Sequence, residues 1–173
     1  MSRRLSFDER LEWTRRLADR RHELLDRVPL HERDQIAAAA VSTRNLVDLA
    51  AIEMRARQPE RGWHGPIERP SESEPMAVLA AAVLDCLERT CVHLRREGPQ
   101  PAVVSLPLRR VDCRRCAATV RRPPAGDSDR CDVCGQRGVI TFVPFVCGSG
   151  PLLVLGDACP SCASRLRLSG AAA

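Results

Sequence analysis

The chain has 173 residues, of which 44% are hydrophobic and 28% are charged, a composition that fits a globular protein of small or medium size. No apolar run is long enough to span a membrane, and the charged N-terminus lacks the pattern of a secretory signal, so we expect a cytoplasmic protein without membrane partners. All 27 basic residues are arginine, which is typical of a GC-rich bacterial genome, and the net charge of +5 lies wholly in residues 109–173.

The first part of the chain has the apolar spacing of helices. Ser6 and Glu9 form a capping box, and the helix that begins there is expected to end before Pro29. Helical periodicity then recurs in two further ranges, residues 33–57 and 72–97. Three helices joined by short to medium connections predict an antiparallel bundle, which we assign to a domain at residues 1–98.

After this bundle the pattern becomes extended. Residues 99–108 are predicted to form a linker or a first strand, and residues 109–173 a zinc-binding module. Two runs of β-forming residues lie in this module, at residues 139–146 and 152–155. They flank a glycine-rich turn at residues 148–150. They predict a hairpin, which a short helix follows after Cys159. The predicted fold class is therefore α+β, with a helical bundle followed by a small zinc module.

Three Cys-x-x-Cys pairs lie in the last third of the chain: Cys113/Cys116, Cys131/Cys134 and Cys159/Cys162. Thiolates three residues apart on a tight turn can face one ion, and two such turns complete a tetrahedral shell of four sulfurs. In a chain without a secretory signal, this spacing favours metal binding over disulfides. We therefore predict that these six cysteines bind Zn²⁺. The zinc is expected to be structural, because four thiolates leave no open position for a substrate.

The sequence Cys131-Asp-Val-Cys134-Gly135 resembles a zinc knuckle, and either of the other two pairs could complete its site. Pairing with the first pair resembles a zinc ribbon, whereas pairing with the third pair across the predicted hairpin resembles a treble clef. Both resemblances are confined to about residues 109–168 and imply a zinc scaffold. We favour the treble clef, because its hairpin and its helix are both predicted. A pair left over could join Cys147 and one further ligand, or bridge two chains.

The other cysteines and the histidines give no sign of catalysis. Cys86 and Cys91 lie on or near the apolar face of the predicted third helix, where we expect them to pack as small hydrophobic residues. The last histidine is His93, so the zinc module lacks the histidines that treble-clef nucleases need. No phosphate-binding glycine loop, zinc-protease motif or nucleophile elbow is present. We expect no enzymatic activity.

Two binding functions remain. A helical bundle of balanced charge beside a zinc module suits a protein–protein adaptor or an assembly subunit, whose alanine-rich second helix could pack on another copy, and we favour this function. The alternative is a regulator that binds DNA or RNA through arginines around the first cysteine pair: Arg109, Arg110, Arg114, Arg115, Arg121 and Arg122. The aromatic content of only 3% disfavours recognition by base stacking.

Overall fold

The computed structural model describes residues 5–19, 23, 26–57, 73–97, 99–120, 129–139 and 141–168. The helices within these ranges are α1 (Phe7–Asp19), α2 (Leu30–Arg57), α3 (Ser73–Leu84), α4 (Val92–Arg96), α5 (Arg114–Thr119) and α6 (Pro160–Arg165), with a 3-10 helix at Leu87–Arg89. The strands are β1 (Ala102–Ser105), β2 (Arg110–Cys113), β3 (Val143–Ser149) and β4 (Leu152–Ala158). Helices and strands alternate irregularly along the chain, as expected for an α+β protein.

The four strands form one mixed sheet in the order β2–β1–β4–β3. β1 and β2 form an antiparallel hairpin, as do β3 and β4, and the two hairpins join because β1 pairs parallel with β4. β3 lies at the edge of the described sheet, a position in which a strand tolerates the missing N–H group of Pro144.

One face of the sheet carries the main core. Alternate strand residues point to this face, among them the fully buried Val104, Phe145 and Val154. α1 packs on α3, which contributes Val78 and Ala81 to the same core. Four cysteines of the predicted zinc module also belong to it. The core therefore joins residues that we assigned to two domains.

α2 packs on the opposite face of the sheet. Val47 forms a second, smaller cluster there with Val146 and Leu153. Gly148 in β3 lets the helix approach, because a Cβ atom at this position would lie only 3.0 Å from Val47 Cγ2. The sheet is apolar on both faces and needs a cover on each of them. The described helices consequently do not form the predicted three-helix bundle: α1 packs against α3, and α2 packs against β3 and β4.

The predicted third helix, over residues 72–97, is interrupted. α3 ends at Leu84, the 3-10 helix follows, and Thr90 is extended with ψ of 133°. Thr90 forms a parallel bridge with Val111 of β2, and the N–H of Cys91 donates to the carbonyl of Val111 at 2.9 Å. Pairing with the edge of β2 thus replaces helical hydrogen bonds in this segment. Helical periodicity alone could not show this, because the edge is brought here by tertiary structure.

The start of α1 agrees with the predicted capping box. The Ser6 hydroxyl accepts a hydrogen bond from the Glu9 N–H at 3.2 Å, and the Glu9 carboxylate accepts one from the Ser6 N–H at 2.7 Å. None of the described helices combines the length and the apolar character that crossing a membrane requires.

Candidate metal centres

Cysteine and histidine side chains of the described residues form two clusters of four. The first, which we name the four-sulfur cluster, consists of Cys131, Cys134, Cys159 and Cys162. The second, which we name the histidine cluster, consists of Cys91, His93, Cys113 and Cys116. Within each cluster the ligand atoms lie within 4.8 Å of one another. Tetrahedral zinc, with Zn–S bonds of about 2.3 Å, keeps its sulfur ligands about 3.8 Å apart, so either cluster can close around one ion.

The four-sulfur cluster joins a tight turn to the end of a hairpin. The Gly135 N–H donates to the Cys131 carbonyl at 2.9 Å, and Gly135 has φ of +80°, which glycine adopts without strain. On the other side, β4 leads into α6, whose N-cap is Cys159 and whose first turn holds Cys162. The Cys159 N–H donates to Cys131 Sγ at 3.2 Å. Backbone hydrogen bonds therefore hold both halves of the cluster in place.

Hydrogen bonds to Cys131 Sγ, among them the one from the Cys159 N–H, favour a thiolate at this residue. The hydrogen bond with the Cys162 thiol lowers the pKa of Cys131 to about 4, and backbone N–H groups add to the effect. In return, this contact raises the pKa of Cys162. Burial raises the pKa of Cys134 to about 11. A bound cation would favour the thiolate form of its cysteine ligands and displace their protons.

The histidine cluster is built on the other hairpin. β2 ends at Cys113, which is the N-cap of α5, and Cys116 lies in the first turn of that helix. Cys91 is the N-cap of α4, which carries His93. Nδ1 of His93 lies 3.2 Å from Cys116 Sγ and 3.9 Å from Cys113 Sγ. A nitrogen and a sulfur bound to the same zinc ion lie about 3.6 Å apart, so Nδ1 has the position of a ligand atom.

The two clusters share one local plan, although the sequence shows no internal repeat. In each, the second strand of a hairpin runs into a cysteine that caps a six-residue helix. The φ and ψ angles are −65° and 162° for Cys113, and −66° and 161° for Cys159. The N–H of each capping cysteine donates at 3.2 Å to the sulfur of a cysteine from an earlier segment, Cys91 or Cys131. The plan is the same, with one sulfur ligand replaced by nitrogen.

The clusters lie at opposite ends of the strands. Cys113 pairs with Ala102, which in turn pairs with Leu152, the first residue of β4. Cys159 instead follows Ala158, the last residue of β4. At a rise of about 3.3 Å per residue, these two levels are separated by about 20 Å. Two bound ions would therefore occupy independent sites rather than one dinuclear centre.

The pairing of the cysteines is that of the treble-clef alternative rather than the ribbon. The four-sulfur cluster unites the second and third Cys-x-x-Cys pairs, and the first pair lies in the histidine cluster. The expectation that Cys91 packs as a core residue is wrong, because it lies beside His93 in that cluster. Cys86 is buried as expected, and Cys147 is buried and belongs to neither cluster. Burial raises the pKa of each of these two thiols to about 12.

Cys91 and His93 are the ligand candidates that we missed in the sequence. The signal for them is the spacing Cys-x-His at Cys91–His93, which lies ahead of the Cys113/Cys116 pair. A short Cys/His pair followed by a second pair after a hairpin is an ordinary zinc pattern. We did not interpret this spacing as a ligand pair, because we predicted a continuous helix through Cys91. A continuous helix gives no indication that Cys91 and His93 lie close to Cys113.

The arginines predicted to contact nucleic acid have different surroundings. Arg109 forms a salt bridge with Asp85 at 3.2 Å, and Arg110 donates two hydrogen bonds to the buried carboxylate of Asp112. Arg114 and Arg115 are exposed on α5. The remaining two, Arg121 and Arg122, lie outside the described residues.

No known protein family, curated protein or solved structure matches this chain. The two clusters and the surface of the described residues are therefore the basis for assigning a function. They define an α+β protein with two separate four-ligand sites whose sulfur-rich donor sets suit zinc.

Proposed function

We propose that the chain is a non-enzymatic, zinc-binding adaptor or assembly subunit, in which structural zinc holds the fold and α2 makes protein–protein contacts. The observation that carries this proposal is a stripe of exposed apolar side chains on α2, formed by Leu30, Val41 and Ile52. These side chains are 76%, 58% and 64% exposed. We name them the α2 stripe.

The α2 stripe follows one side of the helix. Its members are eleven residues apart, and eleven steps of 100° return a side chain to within about 20° of its starting direction. The opposite side of the helix holds the buried Ala39 and Val47 and faces the sheet. The stripe therefore faces away from the protein's own core. Aligned apolar side chains of this kind are typical of a contact surface, whereas single exposed ones are ordinary.

The donor sets support a structural role for the metal. Four protein ligands leave no open position for a water molecule or a substrate, as a catalytic zinc would require. In the four-sulfur cluster, Cys131, Cys159 and Cys162 are at most 3% exposed. Its order of elements, a knuckle, a hairpin and a helix, resembles a treble clef. We propose this class for residues 131–165.

Nucleic-acid binding is the alternative, and its support is weaker. The salt bridges of Arg109 and Arg110 with carboxylates reduce the positive charge that these residues could offer to phosphates. Arg114 and Arg115 remain exposed on α5. If they bind phosphates, replacing both with alanine should weaken DNA or RNA binding and reduce its salt dependence. Binding that is absent at low salt would exclude this alternative.

A second copy of the chain is the first partner to test for the α2 stripe. Val41→Glu combined with Ile52→Glu places two charges on the stripe and should abolish concentration-dependent association of the zinc-loaded chain. Sedimentation velocity over a range of concentrations measures this. The matched control is Gln35→Glu with Ser42→Glu, which adds the same charges at exposed positions on another side of α2. This control should associate like the wild type.

If the wild type does not self-associate, a photo-crosslinking residue at position 41 tests for a different protein partner in cells. The same residue at position 42 serves as its control, because Ser42 is exposed but lies outside the stripe. A discrete adduct from position 41 alone would support the adaptor. A chain that remains monomeric and gives no such adduct would contradict it.

A further inference from the structure

We infer that the histidine cluster is a second zinc site, in which three sulfurs and His93 Nδ1 bind one ion independently of the four-sulfur site. This inference goes beyond the adaptor role and does not depend on it. It concerns the metal content of the chain and a ligand, His93, that lies outside the Cys-x-x-Cys pattern.

The positions of the ligand atoms support this site. All four lie within 4.8 Å of one another, and the distances from His93 Nδ1 to the sulfurs of Cys116 and Cys113 are 3.2 Å and 3.9 Å. These values bracket the separation of about 3.6 Å expected for nitrogen and sulfur on one zinc ion. Three thiolates and an imidazole form a soft donor set, which suits zinc and not magnesium or calcium.

Comparison of the two clusters within the same molecule gives a second line of support. The four-sulfur cluster has a donor set and a local structure that suit structural zinc. The histidine cluster repeats its hairpin, its capping cysteine, its short helix and its 3.2 Å N–H···S hydrogen bond. Cysteine and histidine are interchangeable as ligands in tetrahedral structural zinc sites. A cluster in which His93 takes the place of one cysteine can therefore still bind a zinc ion with four ligands.

The ligands are also held in place without the metal. The Cys91 N–H donates to the carbonyl of Val111, and the Cys113 N–H donates to Cys91 Sγ. Ligands that are already positioned lose little conformational freedom when an ion binds.

A zinc ion in this cluster would close one edge of the sheet. The segment at Thr90 and Cys91 pairs with Val111 of β2 but contributes no residue to the main core. An ion in the histidine cluster would add a further attachment, from Cys91 and His93 to Cys113 at the end of β2 and to Cys116 in α5. The ion would thus hold together four residues that lie outside the main hydrophobic core.

Counting zinc in the full chain tests the inference. Native mass spectrometry, supported by elemental analysis, should find two zinc ions per wild-type chain and one in Cys116→Ser. Cys134→Ser removes a ligand from the four-sulfur cluster and should also leave one. A wild type that holds one zinc ion, all of which is retained in Cys116→Ser, would overturn the inference.

Replacement of zinc by Co²⁺ identifies the ligands without removing one. The visible d–d bands of tetrahedral Co²⁺ move to longer wavelength when sulfur replaces nitrogen. His93→Cys should therefore keep two Co²⁺ ions and shift half of the spectrum toward that of the four-sulfur site. The matched control, His31→Cys, adds a thiol at an exposed position of α2 and should leave the bands unchanged. An unchanged spectrum in His93→Cys would show that His93 is not a ligand.

These experiments do not involve a binding partner. Failure of the α2 stripe to bind another protein would leave both the zinc count and the Co²⁺ spectrum as expected here. Conversely, a chain with a single zinc ion could still bind a partner through α2. The experiments therefore test the second zinc site and the adaptor role independently.

Discussion

Glu74 shows how one residue can join three helices. It lies on α3, and its carboxylate accepts hydrogen bonds from Arg15 of α1 at 2.8 to 3.0 Å and from Arg165 of α6 at 2.9 Å. The guanidinium of Arg165 also lies 5.9 Å from the centre of the Phe7 ring. Because α6 contains Cys162 and is capped by Cys159, this network couples the packing of α1 and α3 to the metal centre.

Glu74→Gln should lower the free energy of unfolding modestly at neutral pH. Hydrogen bonds from Arg165 and then Arg15 lower the pKa of Glu74 below 4.5. A carboxylate whose pKa is lowered by folding stabilises the fold above its unfolded pKa, and this contribution disappears as the pH falls through the folded value. The carboxylate is 42% exposed, so solvent screening limits the effect to about 1 kcal/mol or less.

Urea unfolding of wild type and Glu74→Gln at pH 7 and at pH values below 4.5 measures this effect. Acid also releases thiolate-bound metal from both proteins, so the readout is the difference between them, which should shrink with falling pH. Glu12→Gln is the matched control, since among the residues that the structure describes Glu12 forms an exposed pair only with Arg16 of the same helix. A difference that is constant across this pH range would contradict the prediction.

Among the structural elements, those with local signals were predictable from the sequence. The capping box marks the start of α1, and the glycine-rich turn marks the hairpin of β3 and β4. The hairpin of β1 and β2 was missed, because its positive-φ residue is Arg109, at +49°, rather than glycine. The break after α3 was missed for a similar reason, since no glycine or proline occurs between Leu84 and Cys91. The second cluster depends on both of these features.

The packing of α2 was not predictable either, because it depends on which surfaces the sheet leaves uncovered. Its spacing indicates an apolar face but not whether that face meets other helices or a sheet. The structure shows contact with the sheet through the small cluster of Val47, Val146 and Leu153. This cluster is separate from the main core, so the attachment of α2 should be independent of the metal centres.

Val47→Asp should therefore release α2 while both zinc ions stay bound. A carboxylate at this buried position, 3% exposed in the wild type, would lose its hydration and have to move into water. Hydrogen exchange followed by mass spectrometry should show faster exchange in α2 and little change in α3 and β1. Ser42→Asp places a carboxylate at an exposed position of α2 outside the α2 stripe and should leave exchange unchanged. Loss of zinc from Val47→Asp would contradict this independence.

At the scale of the whole molecule, the two metal clusters differ in their relation to the core. Cys131, Cys159 and Cys162 belong to the main hydrophobic core, and Cys134 packs against it. The four ligands of the histidine cluster are outside that core, and among them only Cys113 is fully buried. The first ion would thus lie where α6, β4 and α3 meet. The second would lie at the far end of the sheet, where it attaches only peripheral segments.

Removing the two ions should consequently have unequal effects. Cys134→Ser should lower the free energy of unfolding by several kcal/mol, because it takes the ion from a site that is continuous with the core. Cys116→Ser should lower the free energy of unfolding by only about 1 to 2 kcal/mol, with faster hydrogen exchange confined to α4, α5 and β2.

A chelator added to the wild type should remove the ion of the histidine cluster first, since Cys91, His93 and Cys116 are only half-buried. Mass spectrometry during chelation would show a one-zinc intermediate. Equal losses of unfolding free energy in Cys134→Ser and Cys116→Ser would contradict the assignment of different roles to the two clusters.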